Sequence, residues 1–169
     1  MTNRIGKLGV LVKLVISLIA VILIQGILGY RLRVFQYFDL PLIITIYYGF
    51  TLGRPIPAVI IGTSVGLIQD ALASVPLGTN GFSKTLIGYL AATTGSKFDV
   101  DLPVARAIAI FLFTLGDGIV VNVLGLMTGI APAANYTSIG MHLLMSGLFN
   151  ALLGLLMFGI HDRVTHASA

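Results

Sequence analysis

Three charged residues sit where apolar sequence surrounds them, and any chemistry in this chain starts with them. Two lie in "GLIQDALASVPLGTNGFSKTLIGYL", which runs from Gly66 to Leu90: Asp70 before a Pro/Gly turn and Lys84 after it. A carboxylate and an ammonium can act as an acid–base couple or hold each other as an ion pair. A helix ending near Ser74 puts Asp70 about one turn, roughly 6 Å, below its end, and a helix starting near Asn80 puts Lys84 about one turn inside the next. Antiparallel neighbours across so tight a turn bring the two charges to similar depth. A lone charge at mid-depth in a bilayer costs at least ~2.5–3.5 kcal/mol on insertion scales, so the pattern predicts a structural ion pair of Asp70 with Lys84. That pair would clasp an outer hairpin whose turn is built from Pro76, Gly78, Asn80 and Gly81. The functional alternative is a charged site at the outer face, and Lys84 alone could also snorkel to the surface.

The third is Asp117, an intramembrane acid between Gly116 and Gly118 in the middle of another apolar run. Its depth makes it the costliest charge in the chain. It is expected to face the bundle interior, with Asn122, Asn150 or Lys84 as partner, or else to be held protonated by burial; a proton relay would need a second deep acid, and none is in view. His142, His161 and His166 have no metal-ligand spacing, so no metal site is expected. The chain has no Cys, which excludes disulfides, thiolate nucleophiles and cysteine-ligated zinc. No Ser/His/Asp arrangement, phosphate-binding loop or paired-carboxylate site is apparent. The expectation is a non-enzymatic protein without a cofactor.

The elements that must position these charges are membrane segments. Of 169 residues, 57% are hydrophobic and only 9% charged, against about 25% charged in a typical soluble domain. The mean hydropathy is +1.02. No polar stretch is long enough for a soluble core, so residues 1–169 read as one integral membrane domain. About six hydrophobic segments follow from a spanning length of roughly 20 residues. They lie near Val10–Tyr30, Leu40–Leu52, Pro57–Ser74, Gly81–Gly95, Pro103–Thr128 and Ser138–Ile160. The second and fourth are short for a full span, so five spans is the alternative count. The first is longer than a signal h-region and lacks a small-residue cleavage pattern, so it reads as retained.

The charge of +4 is topological. With six spans and a cytoplasmic N-terminus, Arg4, Lys7, Lys13, Arg54, Lys97, Arg106 and Arg163 fall on the inner side, Arg31 and Arg33 on the outer. This obeys the positive-inside rule and places both termini in the cytoplasm. Anionic lipid headgroups are then the counter-charge, and no nucleic-acid partner is expected. Tyr30, Tyr37, Phe38, Tyr47, Tyr48, Tyr89 and Tyr136 read as interfacial anchors rather than a ligand box.

Small residues recur at helical spacing. Gly62 and Gly66 form one small-xxx-small pair, and Gln69 and Asp70 continue that side; Gly81, Thr85, Gly88, Ala92 and Gly95 mark one face of the next segment. Gly118, Asn122, Gly125 and Gly129, and then Gly147, Asn150 and Gly154, repeat the pattern. Ordinary packing between helices is the plainer reading, and a ligand-lined cavity is the alternative. The Gly81, Thr85, Gly88, Ala92 face is also the candidate surface for a partner's membrane helix.

The stretch from Gly62 to Gly95 resembles the rod shape-determining protein MreD family, through "GLIQD" closing one helix, "PLGTNG" as the turn and "KTLIGYL" in the next. Elsewhere the resemblance rests on hydropathy, span number and chain length. It implies an all-α, polytopic membrane bundle, similar to the substrate-binding subunits of energy-coupling-factor vitamin transporters. It further implies a multi-pass scaffold subunit in the bacterial inner membrane. The implied direct partner is MreC, within a cell-elongation complex that also holds MreB, RodA and a partner transpeptidase and drives lateral peptidoglycan synthesis. A vitamin-binding transporter subunit is the alternative, and would need an outward-facing pocket with several convergent polar groups. A carrier for an anionic lipid intermediate, using Lys84, Arg31 and Arg33, is a third.

Overall fold

The computed structural model describes residues 19–20, 22–27, 31–73, 75–97, 102–129 and 136–167. Most of the first expected span, the cations Arg4, Lys7 and Lys13, most of the loop "GIAPAANYTS", and the side chains of His161, Arg163 and His166 lie outside the described residues. Every regular element among the described residues is a helix. A short 3-10 turn, Arg33–Tyr37, precedes α1 (Leu40–Leu52), α2 (Pro55–Ala73), α3 (Thr79–Lys97), α4 (Pro103–Met127) and α5 (Tyr136–Ala167). Residues 19–20 and 22–27 are also helical.

Local chemistry sets the boundaries. Asp39 caps α1 by accepting from the Leu42 N–H at 3.0 Å, and Pro41 occupies the first turn, where a missing N–H costs nothing. Gly53, at φ 55°, ends α1 in the left-handed conformation that L-residues avoid. Pro55 and Pro103 each open a helix in the same way as Pro41. Gly78, at φ 102°, turns the chain between α2 and α3.

The helices are apolar outward, unlike those of a soluble bundle, and bury charged and polar side chains alongside an apolar core. Val104, Ile108 and Leu112 on α4, and Leu144, Leu148, Leu152 and Leu156 on α5, form exposed stripes at four-residue spacing. Asp70, Ser83, Lys84, Asp117 and Asn150 are buried. Pro55–Ala73, Pro103–Met127 and the Ser138–Ile160 stretch of α5 are long and apolar enough to cross a membrane. With 13 residues, α1 spans about 20 Å, short of a hydrocarbon core of about 30 Å. It sits inside the bundle instead, with Leu42, Ile43 and Ile46 at most 2% exposed.

The tightest contact is the antiparallel pair α2–α3; α1 packs across both, α4 pairs with α5, and α3 touches α4. An apolar core of Leu42, Ile46, Phe50, Ile87, Ala91, Ile110 and Phe158 joins α1, α3, α4 and α5. Arg106 lies over the Phe158 ring, 4.5 Å from its centroid. The polar residues gather at the opposite end of α1, around its N-terminus.

Candidate functional site

Lys84 is completely buried, and its ammonium sets the geometry of the site. Nζ donates to Asp39 Oδ2 at 3.0 Å and to Asn80 Oδ1 at 3.2 Å, and stands 3.6 Å from Asp117 Oδ1. The direct Asp70–Lys84 pair expected from the sequence is not formed. The two residues do lie at the same end of their helices. However, Lys84 turns towards α1 and α4, where two carboxylates wait, and Asp70 is used otherwise.

Asp70 closes the end of α3. Its Oδ2 accepts from the Gly78 N–H at 2.8 Å and the Gly81 N–H at 3.0 Å; its Oδ1 accepts from the Asn80 N–H and Asn80 Nδ2, both at 2.9 Å. The first N–H groups of a helix have no partner within it and carry its positive dipole end, so an acid reaching over from α2 satisfies both needs. Asn80 then links the two charges, donating to Asp70 and accepting from Lys84. The hairpin is clasped, but by a carboxylate on backbone amides rather than by an ion pair. The same bonds explain why α3 starts at Thr79, ahead of the expected Gly81. The turn residues Pro76, Gly78, Asn80 and Gly81 all belong to this cap: the Pro76 carbonyl takes the Thr79 N–H at 3.2 Å.

Asp117 does face the interior. Its Oδ1 accepts from Ser83 Oγ at 2.6 Å besides facing Lys84. Of the partners expected for it, Lys84 is in place. Asn150 instead accepts from the Asp39 backbone N–H at 2.9 Å, and Asn122 donates to the Gly118 carbonyl of its own helix at 2.7 Å. Gln25 bridges the turn before α1, donating to the Phe38 carbonyl at 2.6 Å and accepting from the Leu40 N–H at 3.1 Å. One network thus ties the segment around Gln25 to α1, α3, α4 and α5.

The face proposed for a partner, Gly81, Thr85, Gly88 and Ala92, is turned into the chain itself. A Cβ on Gly88 would stand 2.7 Å from the Ala58 carbonyl oxygen, and one on Gly66 would run into the Asn80 carbonyl. Thr85 and Thr63 share a hydrogen bond of 2.6 Å across the same contact. Ala92 is fully buried beneath α1. Small residues here let α2, α3 and α1 approach closely, which leaves no room for an added helix.

Next to the network lies a cavity of about 270 Å³. Its walls include Asp39, Asp117, Gln69, Ser146 and Asn150, with Tyr37 and Phe38. A second, more apolar cleft of about 400 Å³ adjoins it and shares Gln25, Gln36, Phe38 and Gln69. Two buried polar atoms have no hydrogen-bond partner among the described residues, Gln69 Oε1 and Asn150 Nδ2. Asp39, Ser83 and Gln25 were not singled out from the sequence, whereas Gln69 was placed on the Gly62–Gly66 side of its helix. Asp39 had a readable signal, an acid immediately before Leu-Pro at the start of an apolar run, which marks an N-cap.

Chemically, Lys84 Nζ is engaged by Asp39, Asn80 and Asp117 and is not left open to a ligand. The site can bind and orient; its open groups are the cavity-facing Asp117 and the unpartnered amides. No protein-family model, curated protein or solved structure matches the chain.

Proposed function

We propose that this chain is a non-enzymatic scaffold subunit of the bacterial cell-elongation complex. It would sit in the inner membrane with both termini cytoplasmic and bind MreC, alongside MreB, RodA and its partner transpeptidase. The observation that carries the reading is the α2–α3 hairpin. The residues that bear the resemblance to the MreD family, "GLIQD", "PLGTNG" and the lysine after it, are those that cap and lock this hairpin. The turn so fixed holds out apolar side chains: Leu77 is 75% exposed and Phe82 58% exposed. A rigid, apolar rim with its backbone amides already satisfied suits a docking partner better than it suits chemistry. Because the Gly81–Ala92 face is occupied within the chain, the rim near Pro76–Gly81 is the surface we assign to MreC.

The test is co-purification from native membranes with a tagged chain, followed by partner identification. Recovery of MreC with the wild type, and its loss on Leu77→Ser, supports the reading; Leu77 takes no part in the buried network, so the variant should fold. Absence of every wall-synthesis protein would remove it. A second reading, a substrate-binding subunit of a vitamin transporter, is favoured by the polar cavity beside Asp117, and predicts an ATPase pair with a coupling subunit in the same pull-down.

A further inference from the structure

We propose that the cavity beside Lys84 is a binding site for a small primary ammonium compound that also carries an acceptor oxygen, of the amino-alcohol kind. This goes beyond either assembly described above, since a scaffold and a transport subunit could hold such a ligand equally.

Acceptor capacity comes first. Asp39 and Asp117 both face the single ammonium of Lys84, and together they offer more carboxylate oxygens than that ammonium uses. Asp39 uses both oxygens, Oδ1 on the Leu42 N–H and Oδ2 on Lys84. Asp117 uses Oδ1 alone; its Oδ2 has no hydrogen bond among the described residues, and the residue lines the cavity. No lysine or arginine is among the described residues lining it. The carboxylate and amide oxygens of the lining suit a hydrogen-bond donor such as an ammonium better than an anion.

Hydrogen-bonding capacity then narrows the cation. Asn150 is fully buried and lines the cavity, yet its Nδ2 has no partner. Its orientation is set by the network, because Oδ1 accepts from the Asp39 N–H, so the unpartnered atom is a donor. A bare metal ion cannot satisfy a donor; an acceptor oxygen can. Gln69 Oε1, also unpartnered, supplies a second acceptor for the ammonium besides Asp117 Oδ2. Tyr37 and Phe38 add aromatic residues to the lining. A volume of about 270 Å³ is the share of about nine waters, far more than an alkali cation fills.

The shared chemistry is a primary ammonium near an oxygen, available from a free amine or from an ethanolamine lipid headgroup. The full chain would be purified in detergent, and its unfolding midpoint followed by circular dichroism during titration with ethanolamine. Sodium chloride at matched ionic strength and ethylene glycol are the controls. A parallel arm compares nanodiscs of phosphatidylethanolamine with nanodiscs of phosphatidylcholine. The expected result is a saturable rise in midpoint with ethanolamine, or with phosphatidylethanolamine alone if the lipid is the source. The rise should be lost in Asp117→Asn and in Val121→Phe. Val121 lines the cavity and takes no part in the polar network, so the second variant fills the space and serves if the first fails to fold. No rise in either arm overturns the proposal. So does an equal rise with sodium chloride or ethylene glycol, or a rise that survives in a folded variant of either kind. Loss of partner proteins in a pull-down would leave this result unaffected.

Discussion

Lys84 should be coupled energetically to Asp39 more strongly than to Asp70. At an effective dielectric of 20, the Lys84–Asp39 separation of 3.0 Å corresponds to about 5.5 kcal/mol of attraction and the Lys84–Asp117 separation of 3.6 Å to about 4.6 kcal/mol. Desolvation of the buried Lys84 and Asp117 and of the half-buried Asp39 offsets most of this, so the net figures are smaller. Removing the lysine is another matter, because Asp117 is then left buried, and Asp39 half-buried, without a counter-charge. Lys84→Met should therefore cost about 3–5 kcal/mol. Asp39→Asn leaves Lys84 with Asp117 and Asn80 and should cost less. In a double-mutant cycle, Lys84→Met with Asp39→Asn should show a coupling of about 2 kcal/mol. The cycle with Asp70→Asn should show clearly less, since Asp70 reaches Lys84 only through Asn80. Unfolding by sodium dodecyl sulfate in mixed micelles, followed by circular dichroism, suits a chain with no Trp. A coupling of Lys84 to Asp70 equal to or larger than its coupling to Asp39 would refute the assignment.

Three further outcomes follow from the same geometry. Gly66→Leu should abolish the monodisperse peak in detergent size-exclusion chromatography, because its side chain would collide with the Asn80 and Gly81 backbone, whereas Leu148→Ala on the exposed stripe of α5 should leave it intact. Gly78→Ala should lower stability by about 1–2 kcal/mol in the same micelle unfolding assay, since φ 102° is open to glycine and strained for any L side chain. The chain lacks Cys, so single cysteines at Leu77 and Lys97 can be introduced directly. A membrane-impermeant maleimide should label them from opposite sides, and labelling of both from one side would mean that α3 does not cross.

The helices were legible because proline and long apolar runs leave little choice. Pro41, Pro55 and Pro103 each fall in the first turn of a helix, and the boundaries of α1 match the sequence reading at both ends. The depth of Asp70 and Lys84 was legible too, because rise along a helix depends on residue count alone. Direction around the axis was not. Whether Lys84 turns towards α2 or towards α1 and α4 depends on where those helices pack, and that information lies far off in the chain. Asn150 is 111 residues from the Asp39 amide it accepts from. Asp39, in "RVFQYFDL", has polar and aromatic flanks that read as a solvated connection, so only its capping role was visible. The stripe at Gly81, Thr85, Gly88 and Ala92 truthfully signalled close approach, but a small-residue face looks the same whether it awaits another protein or its own neighbour.

That ambiguity shows what the buried charges contribute. In a membrane the lipid tails are as apolar as leucine, so the hydrophobic effect does little to choose one packing of α1 to α5 over another. The Gly contacts set how near α2 and α3 can come, but sliding by one helical turn would place Gly62 near where Gly66 now sits and preserve much of that fit. The polar network would not survive such a slip. Asp70 must meet the first N–H groups of α3, and Lys84 must meet both the cap of α1 and the mid-helix acid of α4. A displacement of one turn, about 5.4 Å, would strand at least one charge in an apolar interior. The charges therefore select the register that the apolar and small residues leave open. Their arrangement around the N-terminus of α1 also explains why the open polar groups, Asp117 Oδ2 and Asn150 Nδ2, occur beside the most constrained part of the bundle. A binding site needs its groups held in place, and here the interactions that hold them are those that fix the fold.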